Sequence, residues 1–333
     1  MTESLALPVL DEDLAARLRA RMAEVEHALA GHAVSEAPFV TDAARHLMDA
    51  GGKRVRPLLV LLAAETGDPT GEAAEDVMTA ACIVELTHLA SLYHDDVMDE
   101  AELRRGTESA NARWDNHVAI LTGDFLFSKS SELTSRLGRE AVRIQAQTFT
   151  ELVEGQILET LGPGADHDPL EHYLRVVAGK TGSLIATSAL YGARFAGAPL
   201  EVEEALTAYG AKVGVAFQLS DDILDVASES AESGKTPGTD LREGVPTLPV
   251  LIAQRSTDPA DARLLELLAG DLTDDAAHAE ALVLLRAHPA MTEASAYVVG
   301  LAAEAKELLK VLPEGPPRDA LDAFADAIAD RST

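Results

Sequence analysis

The sequence predicts an all-α protein, and three features of its 333 residues support that fold class. Aromatic residues make up only 4% of the chain, while alanine and leucine occur throughout, which favours helices over a β-sandwich or barrel. Apolar residues recur at intervals of three and four, as in the stripe formed by Leu14, Leu18, Met22, Val25 and Leu29. No pair of strands joined by a hairpin turn is predicted.

The helical segments are separated by short stretches rich in glycine and proline, such as 162–164, 197–199 and 315–317. The longest segment without helical patterning is 228–247, directly after a cluster of aspartates. Because helical patterning resumes at Leu248, this segment is predicted to be a functional loop rather than a linker. We therefore predict one domain over residues 1–333, with a peripheral helix within residues 1–35.

The charge balance excludes several classes of partner. The chain has 27 lysines and arginines against 56 aspartates and glutamates, a net charge of −29 that repels nucleic acid and anionic lipid. No segment reaches the roughly 18 apolar residues that span a bilayer, and no secretory signal is evident. The single cysteine, Cys82, excludes an intramolecular disulfide. We expect no nucleic-acid partner, no stable membrane insertion and a cytoplasmic location.

The first candidate site is a triplet of acids, Asp95, Asp96 and Asp99, which ends an apolar helical run over residues 77–98. Positions 95 and 99 lie one turn apart on one helix face, where two carboxylates repel each other. Either water screens them at an exposed helix end or a divalent cation bridges them. Taken alone, the triplet does not decide between these interpretations.

The same pattern recurs at Asp221, Asp222 and Asp225, again at the end of an apolar helical stretch. Two such triplets on two helices can face one another across a cavity and hold several cations through oxygen ligands. That arrangement is suited to clamping a diphosphate. Magnesium is the expected metal, because it prefers few carboxylates together with phosphate oxygens.

Positive residues are concentrated near these acids in an otherwise acidic chain. The candidates are Lys53, Arg54, Arg56, Arg104, Arg105, Lys180 and Lys235. Arginine forks suit phosphate oxygens, although a surface salt-bridge patch is the alternative for each motif taken singly.

One histidine, His88, lies seven residues before Asp95 and shares its helix face, so it can donate to a phosphate. A buried, satisfied histidine is the alternative interpretation. His94 with Asp95 also spells the dipeptide of HD-type metal phosphohydrolases, but the further ligands of such a site cannot be placed at helical spacing.

Several motifs follow one another in a specific order over roughly residues 40–331. They are GKRVRP at 52–57, His88, LYHDDVMD at 92–99, RRG at 104–106, Lys180-Thr181, FQLSDDILD at 217–225, and KTPGTD at 235–240. This order resembles the trans-isoprenyl diphosphate synthase (polyprenyl synthetase) family, and most of all its medium- and long-chain members. The resemblance implies a single large helical bundle of the isoprenoid synthase type with a central cavity, and a homodimer.

The resemblance also implies an activity, the condensation of isopentenyl diphosphate with an allylic diphosphate, which depends on several Mg²⁺ ions. The residues implied for isopentenyl diphosphate are Lys53, Arg56, His88 and Arg105, with Arg54 counted among the substrate-binding cations. Those implied for the allylic diphosphate are Arg104, Lys180, Thr181, Gln218 and Lys235. Asp95, Asp99 and Asp221 would ligate the metal directly, and Asp96, Asp222 and Asp225 would complete or support the shell. The catalytic set is Asp95, Asp99, Arg104, Lys180, Asp221 and Lys235.

The sequence departs from the family pattern at Val245, where the family often has a lysine after Glu243-Gly244. The departure leaves one cation fewer in the loop. It makes Lys235 the more important of the expected cations there.

The expected product length depends on the helix face below Asp95. In the family, the positions four and five before the first acid often form the floor of the product channel, and here they are the small residues Ser91 and Ala90. The deeper residues of that face, over about 27 Å of helix, are Val84, Ala81 and Val77. We expect an open channel and a medium- or long-chain all-trans product.

Three alternatives remain open from the sequence. The first is a short-chain farnesyl or geranylgeranyl diphosphate synthase. The second is a non-catalytic subunit of a heteromeric synthase, against which the intact acids argue. The third is a class I terpene cyclase, which would leave the isopentenyl diphosphate residues without a task.

Overall fold

The computed structural model describes residues 11–228 and 237–332, and within them the all-α prediction is confirmed. The α-helices are α1 (Glu12–His32), α2 (Pro38–Asp49), α3 (Val55–Ala64), α4 (Glu72–Met98), α5 (Ala110–Arg113), α6 (Asn116–Arg136), α7 (Arg139–Leu161), α8 (Pro169–Val177), α9 (Ser183–Phe195), α10 (Leu200–Ala227), α11 (Thr239–Arg242), α12 (Leu248–Ala253), α13 (Ala262–Leu268), α14 (Asp275–Ala287), α15 (Pro289–Leu308) and α16 (Pro316–Ala329). A π-helical turn, Ala178–Gly182, joins α8 to α9.

The helices begin and end where the sequence supplies the corresponding signals. Asp11, Asp115 and Asp168 each accept a hydrogen bond from a backbone N–H in the first turn of the helix that follows. Helix α7 ends directly before Gly162, which has a φ of 68°, and α16 begins at Pro316. In the two described stretches, no helix combines the length and the apolar character that crossing a membrane requires.

A short hairpin corrects the prediction that no strands would pair. Strand β1 (Leu103–Arg104) pairs antiparallel with β2 (Thr107–Glu108). The two residues between them, Arg105 and Gly106, have φ values of 54° and 76°, as a two-residue hairpin turn requires. Sequence analysis missed it because an arginine occupies a position where asparagine or aspartate is usual.

The contacts divide the chain into two compact units. The first unit comprises Met1–Phe149, Leu184–Gly210 and Leu309–Ala323. The second comprises Thr150–Ser183, Ala211–Leu308 and Phe324–Thr333. The single domain over residues 1–333 stays a prediction.

In the first unit, α4 is the central helix and packs along α6 and α3. Its apolar side chains Ile83, Leu86 and Leu89 are completely buried, and burial of each stabilises the fold by about 1.5–3 kcal/mol. Cys82 is equally buried, which raises the pKa of its thiol to about 12 and fits a core role. Tyr93 donates its hydroxyl to the carbonyl of Ala43, 2.5 Å away, and so fixes the acid-bearing end of α4 against α2.

The second unit has its own core, built from residues between α10 and α15. Its buried members include Val226, Leu241, Val250, Leu267 and Leu285. The core therefore forms directly behind the second aspartate cluster, where α10 ends and the loop returns through α11.

Candidate active site

The first aspartate cluster lies at the C-terminal end of α4, where Asp99 is the capping residue after Met98. Asp95 is partly exposed and Asp99 is exposed, whereas Asp96 between them is 0% exposed. The helix therefore presents the first and last acids to solvent and turns the middle acid into the protein.

Asp96 is held by an ion pair with the β1–β2 hairpin. The Nε of Arg104 donates to Oδ1 of Asp96 over 2.6 Å, while Oδ2 is buried without a hydrogen-bond partner. Burial raises the pKa of this carboxyl, and the Arg104 guanidinium opposes that rise. Of the two roles left open for Asp96, the geometry favours support over direct metal ligation.

The glycine loop before α3 packs against the side chain of Arg105. Its Nη1 donates to the carbonyl of Leu47 over 2.8 Å and also to that of Gly51. A Cβ on Gly52, whose φ is 144°, would lie 2.9 Å from the guanidinium carbon of Arg105. Only glycine allows this close approach.

The positive charge of Arg105 acts on both Arg56 and His88. Burial lowers the pKa of Arg56 to about 10, and its Nε is buried without a partner. Burial, followed by the charges of Arg56 and Arg105, lowers the pKa of His88 well below its usual range. His88 is therefore neutral near pH 7 and keeps one ring N–H to donate. Lys53, on the same loop, is exposed.

Arg54 behaves differently from its neighbours in the sequence. It has a left-handed backbone conformation, with a φ of 48°, and its side chain is buried. Its five N–H donors all have partners within the protein: the carboxylates of Glu26 and Glu85 and the carbonyls of Gly51 and Met48. The expected substrate contact of Arg54 is therefore not supported, because no donor remains for a phosphate.

The second cluster, on α10, shows the same separation of outer and middle acids. Asp221 is partly exposed and accepts a hydrogen bond from Arg331. Asp225 accepts backbone N–H groups at the start of α11, those of Thr239 at 3.2 Å and Asp240 at 3.1 Å. Its carboxylate therefore anchors the chain that returns from the loop.

Asp222, the middle acid, is buried and has both oxygens hydrogen-bonded. Its Oδ2 accepts the hydroxyl of Tyr173, and its Oδ1 accepts Nε2 of Gln218 over 2.9 Å. Burial raises the pKa of Asp222 to about 6, against the effect of these two donors. As with Asp96, the geometry favours a supporting role over direct ligation.

Lys180 and Thr181 lie on the π-helical turn, in which the Ser183 N–H reaches the Ala178 carbonyl five residues back. Lys180 pairs with Glu159 at 2.6 Å, and Thr181 donates to Oε1 of Gln218 over 3.1 Å. Lys180 therefore has to leave Glu159 before it can contact a diphosphate.

Among the residues that contact predicted site residues, sequence reasoning missed Tyr173, Glu85 and Arg331, as well as the partners of Arg54 and Lys180, Glu26 and Glu159. Glu85 carried a signal, since an acid inside an apolar helical run requires a cationic partner. Tyr173 and Arg331 carried none. Lys235, which was expected to be an important cation, lies outside the described residues.

The predicted open channel below Asp95 is wrong for this face of α4. Val77, Ala81 and Val84 are all 0% exposed, because α3 and α6 pack against the helix. Ala90 is also 0% exposed. Ser91 is partly exposed and donates its hydroxyl to the carbonyl of His88. Of the two expected chain-length residues, only Ser91 is accessible.

The donor sets fit a metal that binds together with its substrate. Across residues 11–228 and 237–332, no three or more acidic, histidine or cysteine side chains are assembled into a metal site. Each cluster instead offers accessible outer carboxylates at a helix end. Mg²⁺ is usually bound through one or two carboxylates plus substrate phosphates, so these residues fit it.

Comparison with known proteins identifies the family. The polyprenyl synthetase family model matches residues 37–285. A nonaprenyl diphosphate synthase of Mycobacterium tuberculosis is 50% identical over 321 residues, covering 96% of this chain and 95% of that protein. A dimethylallyltranstransferase of the same species is 46% identical over 286 residues, covering 86% of each.

A solved structure agrees with these sequence matches. The geranylgeranyl pyrophosphate synthase from Corynebacterium glutamicum, complexed with calcium and isoprenyl diphosphate, is 46% identical and superimposes with a TM-score of 0.86. The match covers 96% of this chain and 98% of that one. Similarity of this extent, together with the motifs described above, shows that the chain belongs to the polyprenyl synthetase family.

Proposed function

We propose that the chain is a magnesium-dependent prenyltransferase that condenses isopentenyl diphosphate with an allylic diphosphate to give a medium- or long-chain all-trans polyprenyl diphosphate. The observation that carries the proposal is the pair of aspartate clusters, each with accessible outer acids, in a chain of this family. The 50% identity to a nonaprenyl diphosphate synthase supports the long product.

Isopentenyl diphosphate would be bound by Lys53, Arg56, His88 and Arg105. The arginines supply charge, and neutral His88 supplies a hydrogen bond without adding to their mutual repulsion. The buried, unpartnered Nε of Arg56 supports this assignment, because a buried donor requires an acceptor.

The allylic diphosphate would be held by Arg104, Lys180, Thr181, Gln218 and Lys235, with Asp95, Asp99 and Asp221 as magnesium ligands. Bound Mg²⁺ would neutralise the charge of the leaving diphosphate. The allylic C–O bond breaks, and the double bond of isopentenyl diphosphate attacks the resulting carbocation. A proton then leaves to the departing diphosphate, so the protein supplies no general base.

The activity is tested by Asp95→Ala and Asp221→Ala, each of which should abolish turnover while circular dichroism stays unchanged, because each removes a ligand on an accessible helix end. Asp166→Ala, at an exposed position, is the matched control. Activity of either variant within about tenfold of the wild type would contradict the proposal. A wild-type chain that is inactive alone would favour the partner-subunit alternative.

Product length is tested by chromatography with labelled isopentenyl diphosphate. The wild type should produce chains longer than geranylgeranyl. Ser91→Phe should shorten them, because an aromatic ring at this accessible position would occupy about one helical turn of the space available to the growing chain. Val283→Phe, on the exposed face of α14, should change nothing. Ala90→Phe would instead overpack the core.

A short-chain product is the second candidate, supported by the geranylgeranyl synthase structure and the dimethylallyltranstransferase relative. The same chromatographic assay separates the two candidates. A wild type that stops at farnesyl or geranylgeranyl diphosphate would replace the long-chain proposal.

A homodimer is part of the proposal and is supported by an apolar stripe on α7. Val142, Phe149, Val153 and Ile157 are exposed or nearly so and recur at helical spacing. Ile157→Glu should therefore yield monomers in light-scattering measurements, whereas Val283→Glu should not.

A cytoplasmic location is also proposed, since the lone buried Cys82 forms no disulfide.

A further inference from the structure

One hydrogen-bonded chain in the second unit links the π-helical turn to α10. Thr181 donates to Oε1 of Gln218, whose Nε2 donates to Oδ1 of Asp222. Tyr173 donates its hydroxyl to the other oxygen, Oδ2. Both oxygens of Asp222 are therefore hydrogen-bonded, and the amide of Gln218 is used at both ends.

The two ends of this chain lie on opposite sides of Lys180. Tyr173 belongs to α8, before the π-helical turn, and Thr181 follows Lys180 within the turn. Both reach α10, at Asp222 and Gln218, which are four residues apart and so share one helix face. The segment from α8 through the turn is thus attached to the acid-bearing helix on both sides of Lys180.

The approach of α7 to the turn adds a second constraint. A Cβ on Gly155 would lie 2.6 Å from the backbone nitrogen of Lys180, and one on Gly179 would lie 2.9 Å from the Glu151 carbonyl. The turn is therefore packed backbone to backbone on one side and hydrogen-bonded to α10 on the other. It has little freedom to adjust when its anchors are changed.

We propose that Tyr173 is a positioning residue, which fixes the second aspartate cluster relative to the phosphate-contacting turn by anchoring Asp222. Asp222 is an anchor and not a metal ligand, because it is buried and both of its oxygens accept hydrogen bonds from protein side chains. The proposal rests on the proposed function, in which Asp221 binds magnesium and Lys180 binds the allylic diphosphate.

Burial raises the pKa of the Tyr173 hydroxyl well above its usual range, so this group remains a proton donor at any working pH. Removing it leaves one oxygen of Asp222 buried without a donor. Helix α8 also loses its attachment to α10 at Asp222, so the turn that carries Lys180 can shift relative to Asp221.

The test is Tyr173→Phe in the full chain. We expect the KM for the allylic diphosphate and the Mg²⁺ concentration for half-maximal activity to rise about tenfold, the effect of losing one hydrogen bond to a charged group. The KM for isopentenyl diphosphate should stay unchanged. Binding of inorganic pyrophosphate with Mg²⁺, measured by calorimetry, should weaken in parallel.

Tyr191→Phe is the matched control, because Tyr191 is fully buried and donates its hydroxyl to the Ala141 carbonyl over 2.9 Å in the first unit. It should lower thermal stability by a similar amount without changing either KM. Equal kinetic effects of the two variants would show that Tyr173 acts through stability alone and would overturn the proposal.

Asp222→Asn separates anchoring from ligation and serves if Tyr173→Phe does not fold. An anchor predicts a loss close to that of Tyr173→Phe and far smaller than that of Asp221→Ala, with no further loss in the double variant. A loss as large as that of Asp221→Ala would overturn the proposal. An inactive wild type would instead remove the proposed function, whereas an active wild type with an unchanged Tyr173→Phe removes this inference alone.

Discussion

The two aspartate clusters share one sequence pattern, yet their middle acids are held by different chemistry. Asp96 accepts a hydrogen bond from the guanidinium of Arg104, on the β1–β2 hairpin. Asp222 accepts from two neutral groups, the Tyr173 hydroxyl and the Gln218 amide. Burial raises the pKa of both carboxyls. At Asp96 the charge of Arg104 opposes this rise, whereas at Asp222 the two neutral hydrogen-bond donors oppose it.

The two kinds of partner make the two carboxylates respond differently to mutation. A buried ion pair is costly to break, because the charge that remains has no compensation. A carboxylate held by neutral donors loses less when one donor is removed, but its direction depends on both. The middle acid of the first cluster is thus fixed by charge and that of the second by hydrogen-bond geometry.

The largest expected effect is on stability. Arg104→Ala should lower the free energy of unfolding by about 3 kcal/mol, since it leaves Asp96 charged and buried. Gln218→Ala should lower it by only about 1–2 kcal/mol. Urea unfolding of both variants, with the exposed Arg175→Ala as the control, measures the difference. Equal losses would mean that the two clusters are held in the same way.

A second, smaller effect is the pH dependence of stability that His88 causes. In the folded chain the pKa of His88 is lowered by burial and by Arg56 and Arg105, so only the unfolded chain gains this proton below about pH 6.5. Wild-type stability should therefore fall as the pH drops below that value, and His88→Gln should flatten the decline.

The control for this titration is His117→Gln, because the His117 side chain is almost fully exposed. It should leave the pH dependence of unfolding as in the wild type. A His88→Gln profile that is parallel to the wild type would show that His88 titrates normally in the folded chain.

The smallest expected effect is that of Val245→Lys, which adds a cation to the loop beside the second cluster. Val245 is 40% exposed, and its N–H bonds to the Asp240 carbonyl, so the new side chain can be accommodated. Stability should change by no more than about 0.5 kcal/mol. Turnover should rise no more than a few-fold. A larger rise would show that the activity of the wild type is limited by too little positive charge beside the second cluster.

The sequence predicted the parts of the site that depend on helical periodicity. His88 and Asp95 share a face of α4, as their spacing requires, and Asp99 ends the same helix. The family and the all-α fold followed from motif order and composition. These properties are local, or depend on patterns that survive without knowledge of packing.

The features that sequence analysis missed depend on the tertiary structure. Nothing in the run Lys53 to Arg56 shows that the left-handed backbone of Arg54 buries this arginine against Glu85. Tyr173 finds its partner 49 residues away in the chain. The complete burial of Val77, Ala81 and Val84 depends on how closely α3 and α6 pack, which residue sizes on α4 alone do not determine.

The π-helical turn between α8 and α9 makes this segment sensitive to its length as well as to its composition. Deleting one residue within Ala178–Gly182 would remove the π-helical turn and change the position of Lys180 or Thr181 around the helix axis relative to Tyr173. Tyr173 and Thr181 could then no longer both reach α10 on either side of Lys180. Insertions and deletions should therefore be tolerated in the exposed loop that follows Gly162 but selected against here, even where individual substitutions are accepted.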